Sequence, residues 1–238
     1  MPQPGKPSAL ALSKLPAVLT PRYSPTFSSF KVFIMDLIKF FQSGGFFMYP
    51  ILLVMTLGIA IAIERFIYLA ITQRATETLW KRLLPMLKAR DVERAHQVVE
   101  SQKTPLARVF NYGFARLLHN AKRETVEAAM EEGVMEVTPL MQERTHYLAT
   151  LANIATLLGL LGTIIGLIDA FTAVSTADPA QKAELLSASI AVAMNTTAFG
   201  LVAAIPLLLL HSFLATKTAK LIDNVEMATV KCLNLTME

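Results

Sequence analysis

The sequence predicts an all-α integral membrane protein with three transmembrane helices, the second and third extended into a cytoplasmic helical bundle. Three observations carry that prediction. The 238 residues are 53% hydrophobic and 17% charged, too apolar for an ordinary soluble domain and too short for a large transporter. Three apolar runs are each long enough to cross a hydrocarbon core of about 30 Å as a helix. Between the first and second runs lies a charge-rich segment of roughly 75 residues whose apolar positions recur at helical spacing.

The elements follow in chain order. Residues 1–34 hold six of the 12 prolines within their first 25 positions and show no apolar core after their scattered lysines. They read as a disordered extension, neither a signal peptide nor a folded unit. Met35 opens DLIKFFQSGGFF, an amphipathic approach, so residues 35–71 comprise this approach and transmembrane helix 1. The span covers residues 46–63, is prolonged by 66–71, and is interrupted by Glu64 and Arg65. A charged pair at a helix end can snorkel to the headgroups, so it reads as an interfacial anchor rather than a site.

Residues 72–147 form a cytoplasmic helical domain. Leu79, Leu83 and Leu87, then Val92, Ala95 and Val99, then Leu106, Val109, Phe110 and Leu117 mark short amphipathic helices. The stripe Val126, Met130, Val134, Val137, Met141 runs straight toward the second span, with Pro139 as a kink point.

Residues 148–174 are transmembrane helix 2. Ala152, Thr156, Gly159, Thr163, Gly166 and Ala170 recur at spacings of 4, 3, 4, 3 and 4, a helical face with almost no side chain. Residues 175–184 are a short periplasmic loop, and residues 185–213 are transmembrane helix 3. Its first 26 residues carry no charge, and Ser189, Ala193, Thr197, Gly200 and Ala204 form a second small-residue stripe. In lipid such stripes mean close approach of another helix, which makes Gly159, Gly162, Gly166, Gly200, Ala193 and Ala204 packing residues. With each run centred on the bilayer, Thr163 falls about 3 Å from one midpoint and Thr197 on the other, so both hydroxyls lie near the midplane.

Residues 214–238 continue as a cytoplasmic helix. Leu214, Thr218, Leu221, Val225, Ala228, Cys232 and Leu235 repeat strictly at 4 and 3, a heptad seam. Such a seam needs a partner, either the long helix leading into span two or the same tail of a neighbouring subunit.

Charge fixes the orientation. Residues 65–147 hold 13 of the 22 Lys and Arg, whereas residues 174–186 hold only Lys182, so the large loop and the C-terminus are cytoplasmic and the N-terminus periplasmic. The net charge of +4 and pI near 9.2 follow from this topology and imply no nucleic-acid partner.

The chemistry is constrained by what the motifs omit. No GxxxxGK, HExxH, CxxC or GxSxG occurs, and His96, His119, His146 and His211 lack ligand spacing, so no enzyme, metal or cofactor is implied. The single cysteine excludes an internal disulfide. Asn195-Thr196-Thr197 matches a glycosylation sequon, but within a membrane run the match is accidental. The polar groups available to an ion at the centre are Thr156, Thr163, Asn195, Thr196 and Thr197, none of which titrates near neutral pH. Asp169, the carboxylate inside the spans, lies about 120° off the small-residue stripe and about 12 Å from the helix midpoint. It reads either as an outer interfacial residue or as part of an access path. An acid at the centre of a proton path would come from another chain.

GLLGTIIGLIDAF (residues 159–171), a short outer loop, and MNTTAFGLVAAIP (194–206) resemble the two pore helices of the MotA/TolQ/ExbB proton channel family, closest to its ExbB/TolQ branch. The three-span order, the large loop after span one and the ERFIYL that closes that span match as well, so the resemblance covers roughly residues 35–238. It implies a homo-oligomer, a pentamer, around a pair of single-span ExbD/TolR-like helices, each with a membrane aspartate. Proton flow in the bacterial inner membrane would then drive a TonB- or TolA-like protein to energise outer-membrane processes such as import. It also implies that Thr163 and Thr197 face the pore. Where familiar ExbB and TolQ sequences carry a glutamate five residues before the span-three threonine, this chain has Val192, and Asn195 is the nearest polar substitute. Two other readings stand beside this one: a Na⁺-driven or divergent MotA-like motor subunit, and a non-conducting membrane scaffold.

Overall fold

The computed structural model describes residues 40–41 and 43–237. The chain divides after Phe40 into two units, and the second holds every helix from Met48 onward. The Pro-rich residues 1–34 and the start of the amphipathic approach lie outside the described residues.

That second unit runs through α1 (Met48–Lys88), α2 (Val92–Glu100), α3 (Pro105–Leu117), α4 (Arg123–Gln142), α5 (Thr145–Thr176) and α6 (Lys182–Met237). Three helical stretches are long and apolar enough to cross a membrane, carried by α1, α5 and α6. The fold is an all-α membrane protein.

The first element departs from expectation. The sequence predicts a span followed by separate short helices, but α1 is one helix of 41 residues. Its buried positions Ile51, Val54, Gly58, Ala62, Arg65, Leu69, Thr72, Thr76, Leu79, Leu83 and Leu87 keep a single stripe at spacings of 3 and 4. No glycine or proline interrupts it between Gly58 and Pro85, so nothing stops the helix at the membrane edge. The boundary at residues 71 and 72 therefore falls inside a helix, and the first span extends into the bundle as the third does. Only α2 and α3 are short. Asp91 and Thr104 start them by accepting the Arg94 and Ala107 amides, each at 3.2 Å, with Pro105 at the head of α3.

The approach to span two also differs. The helix passes through Pro139 and breaks instead at Glu143 and Arg144, where Arg144 takes the left-handed conformation with φ 60°. For a residue with a side chain this conformation is unfavourable, and it persists where surrounding contacts fix it. Those contacts come from α1. The Arg144 guanidinium pairs with Glu64 at 2.9 Å and with Glu143 at 3.3 Å, and the Glu64 hydrogen bond is the chief cause holding it protonated above its ordinary range. Arg65, only 3% exposed, donates to the Met141 carbonyl, one of those a helix end leaves without a partner, and stacks on Tyr68. The Glu64–Arg65 pair thus clasps a helix break, and Arg65 is buried rather than extended to the headgroups.

The extended helices build an extramembrane bundle. α6, 56 residues long, lies parallel to α1, with Gly58 against Leu207 and Phe66 stacked on Phe213, and antiparallel to α5. Its heptad seam is buried from Leu214 to Cys232. The extended α1 lies beside Leu214, Leu221 and Ala228 of the seam, a partner absent if α1 ends at the membrane, and α4, the helix leading to span two, lies beside Thr229 and Leu233. α1 and α4 stand at opposite corners, each packed on α3 and α6.

Burial pushes the Cys232 thiol up to about 12. Since the thiolate is the reactive form, the folded protein is expected to resist maleimide at pH 8 and to react fully once denatured, as intact mass would record.

Candidate functional site

The two small-residue stripes meet each other within one chain. A methyl group placed on Gly200 would lie 2.9 Å from the Ala155 carbonyl oxygen and 2.9 Å from the Gly159 Cα, and one on Gly159 would lie 3.2 Å from the Gly200 Cα. The backbones of α5 and α6 are therefore in contact, which glycine at both crossing positions permits. Gly162 abuts the Thr196 methyl, and Gly166 abuts Ala193. The buried line on α5 is Ala152, Ala155, Gly159, Gly162 and Ala170. Thr156 lies off it, exposed, its hydroxyl turned back to the Ala152 carbonyl at 3.1 Å. Ala204 is buried on the facing side of α6.

This close approach brings Thr163 and Thr197 together. Their hydroxyls are in hydrogen-bond contact with each other, and both reach the Gly159 carbonyl, at 3.1 Å from Thr163 and 2.8 Å from Thr197. Each hydroxyl has one proton and two lone pairs. With Thr197 donating to Gly159 and Thr163 to Thr197 or Gly159, both protons are used internally. What remains toward the half-open side of the pair is acceptor capacity. Such a surface binds a donor: water, hydronium or a protonated carboxyl group.

The other polar candidates go elsewhere. Thr196 donates to the Gly44 carbonyl at 2.5 Å or to Val192 at 3.0 Å, and Asn195 donates to Ser43 at 3.1 Å. These bonds hold the segment that leads into α1 against α6. Gly45 turns there with φ 72°, and the Phe41 ring packs edge-on against Phe199. Asp169 is exposed near the far end of α5 and forms no ion pair among the described residues. Val192 is 38% exposed. No titratable side chain hydrogen-bonds the threonine pair among the described residues.

α5 and α6 continue several turns past the level where α1 begins, through a stretch holding Asp169, Lys182 and Glu184.

Sequence reasoning missed Ser43, Gly44, Arg65 and Arg144 as partners. The signals available were the SGG turn before span one and the ER pair within it.

Comparison with known proteins agrees with this architecture. The chain is similar to a biopolymer transport protein ExbB homolog of Methanothermobacter thermautotrophicus, 29% identical over 197 residues that cover 82% of this chain and 68% of that one. It is likewise 29% identical to an ExbB-like biopolymer transport protein of Synechocystis over 226 residues, 90% of this chain and 83% of the relative. The Tol-Pal system protein TolQ of Haemophilus influenzae is 37% identical over 75 residues, 32% of each chain. Residues 101–227, which include all of α5 and α6 as far as Met227, match the MotA/TolQ/ExbB proton channel family, and the chain belongs to that family, in its ExbB/TolQ-like branch.

Proposed function

We propose that the chain is the pore-forming subunit of a proton-driven motor in the bacterial inner membrane, assembled as a homo-oligomer, a pentamer, around an ExbD/TolR-like single-span partner. The observation that carries this reading is the Thr163–Thr197 pair, which turns acceptor oxygens outward without supplying a titratable group. A partner helix that brings a membrane carboxyl group to this level completes the path. The protonated acid donates to the threonines, and loss of the proton to the other side releases it. Movement of the partner is then passed to a TonB- or TolA-like protein that energises outer-membrane processes such as import.

Co-expression with a candidate single-span partner tests this reading. Native mass spectrometry is expected to show a ring of this chain holding the partner, and vesicles of the complex to conduct protons until the partner's membrane aspartate is replaced by asparagine. Unchanged flux in that variant would sink the proposal. One observation favours a second reading: the Gly159 carbonyl and both hydroxyls converge as three hard oxygen ligands, which also suit Na⁺. Flux driven by a sodium gradient at constant pH would select it.

The orientation is part of the proposal and rests on the charge asymmetry. A reporter fused after Thr176 is expected to read as periplasmic, and fusions near Lys103 or after Lys231 as cytoplasmic. A cytoplasmic signal at Thr176 would invert it.

A further inference from the structure

We infer that the extramembrane bundle carries a head-to-tail contact surface for a second copy of this chain, in which the acidic groove between α4 and α6 takes the basic outer face of a neighbour's α1. The inference rests on the oligomeric reading above and adds to it the residues and polarity of the contact. The groove has a volume of about 620 Å³. Its lining includes Met135 and Val230, which are 72% and 57% exposed outside the apolar spans, and its rim carries Glu127, Glu131 and Glu226. None of these carboxylates forms an ion pair among the described residues. Large apolar side chains left open to water beside uncompensated charge mark a surface that is covered in the assembly.

The complement lies on the same chain at the opposite corner. α1 exposes Arg74, Lys81 and Arg82, which also lack carboxylate partners among the described residues. The two faces lie on different helices, α1 and α4, which meet at the Arg65–Met141 bond and are otherwise each packed on α3 and α6. Complementary patches on opposite sides are what a heterologous, ring-closing interface requires, whereas a two-fold contact would set carboxylate on carboxylate. Height supplies an independent check. Subunits related by rotation about the membrane normal touch only at equal distances from the membrane. Along the helix axes Arg74 lies about 14 Å beyond Arg65 and Glu131 about 15 Å beyond Met141, while Arg82 and Glu127 lie about 26 and 21 Å beyond the same points. The arginine stems can cover the Met135 and Val230 side chains while their guanidinium groups reach the carboxylates.

Subunits with one added cysteine test the contact, since Cys232 is buried and its raised thiol does not compete. Arg74→Cys and Glu131→Cys chains are purified in the full complex, separately and co-expressed, and treated with a short bis-maleimide. Covalent dimers are expected from the mixed complex and from neither variant alone, with loss of the dimer when the Glu131→Cys chain also carries Glu127→Lys and Glu226→Lys. Dimers from either variant alone, or none from a mixed complex whose native mass is intact, would overturn the head-to-tail contact. A monomeric native mass for the unmodified protein would instead overturn the oligomeric reading itself.

Discussion

Gly200→Leu is expected to leave no assembled complex in the membrane, and Gly159→Leu to do the same. At Gly200 the first added carbon already lies 2.9 Å from a carbonyl oxygen and from an α-carbon of α5. Both neighbours are backbone, so no rotamer change relieves the clash and the two helices must separate. Overpacked cores that can yield lose about 1–3 kcal/mol; here the loss is expected to exceed that range, since separation also breaks the Thr197 bond to Gly159. Gly58→Ala is the contrast. The nearest atoms to its new methyl belong to the Leu207 side chain, the closest at 2.6 Å, and a side chain yields more readily than backbone. Yield and native mass in mild detergent should therefore fall to background for Gly200→Leu and stay near wild type for Gly58→Ala. A Gly200→Leu protein of normal yield and mass would mean that α5 and α6 do not touch.

The Thr163→Val, Thr197→Val double variant is expected to assemble normally and conduct nothing. Valine matches threonine in shape and removes only the hydroxyl, and each lost bond within a membrane is worth on the order of 0.6 to 2 kcal/mol. The glycine contacts that hold α5 to α6 are untouched. What disappears is the acceptor surface, and a dry contact raises the cost of charging a partner carboxyl group. Proton flux in vesicles should drop to that of protein-free controls. Thr196→Val, which frees the lead-in segment at Gly44 but leaves the pair intact, should retain most of it. Wild-type flux in the double variant would remove Thr163 and Thr197 from the path, and loss of assembly would favour the scaffold reading.

Three spans and the small-residue faces were legible in the sequence because each depends on residues a helical turn apart on one element, whereas the bond between Thr163 and Thr197 joins two elements and was not. Ala152, Gly159, Gly200 and Ala204 mark their own contact, since in lipid small size is itself the signal. What escaped depended on relations between elements. Whether α1 stops at Glu64 is decided by the partners it meets beyond that point, α2, α3 and α6, among which Leu79, Leu83 and Leu87 are buried. The break at Arg144 is written in Glu64, 80 positions earlier. Thr196 and Asn195 share a helix with Thr197, and only the position of Ser43 and Gly44 shows that their hydrogen bonds point elsewhere.

Of the helices that leave the membrane, α1 and α6 do so without interruption, whereas α4 and α5 are divided at Glu143 and Arg144. In mechanical terms the subunit has two continuous struts and one jointed arm. α6 runs unbroken from the threonine pair to the far end of the bundle, although Pro206 removes one backbone hydrogen bond on the way, and α5 is separated from the bundle by the joint that the Glu64–Arg144 clasp spans. A displacement at the pair is therefore expected to reach the bundle more fully through α6 than through α5.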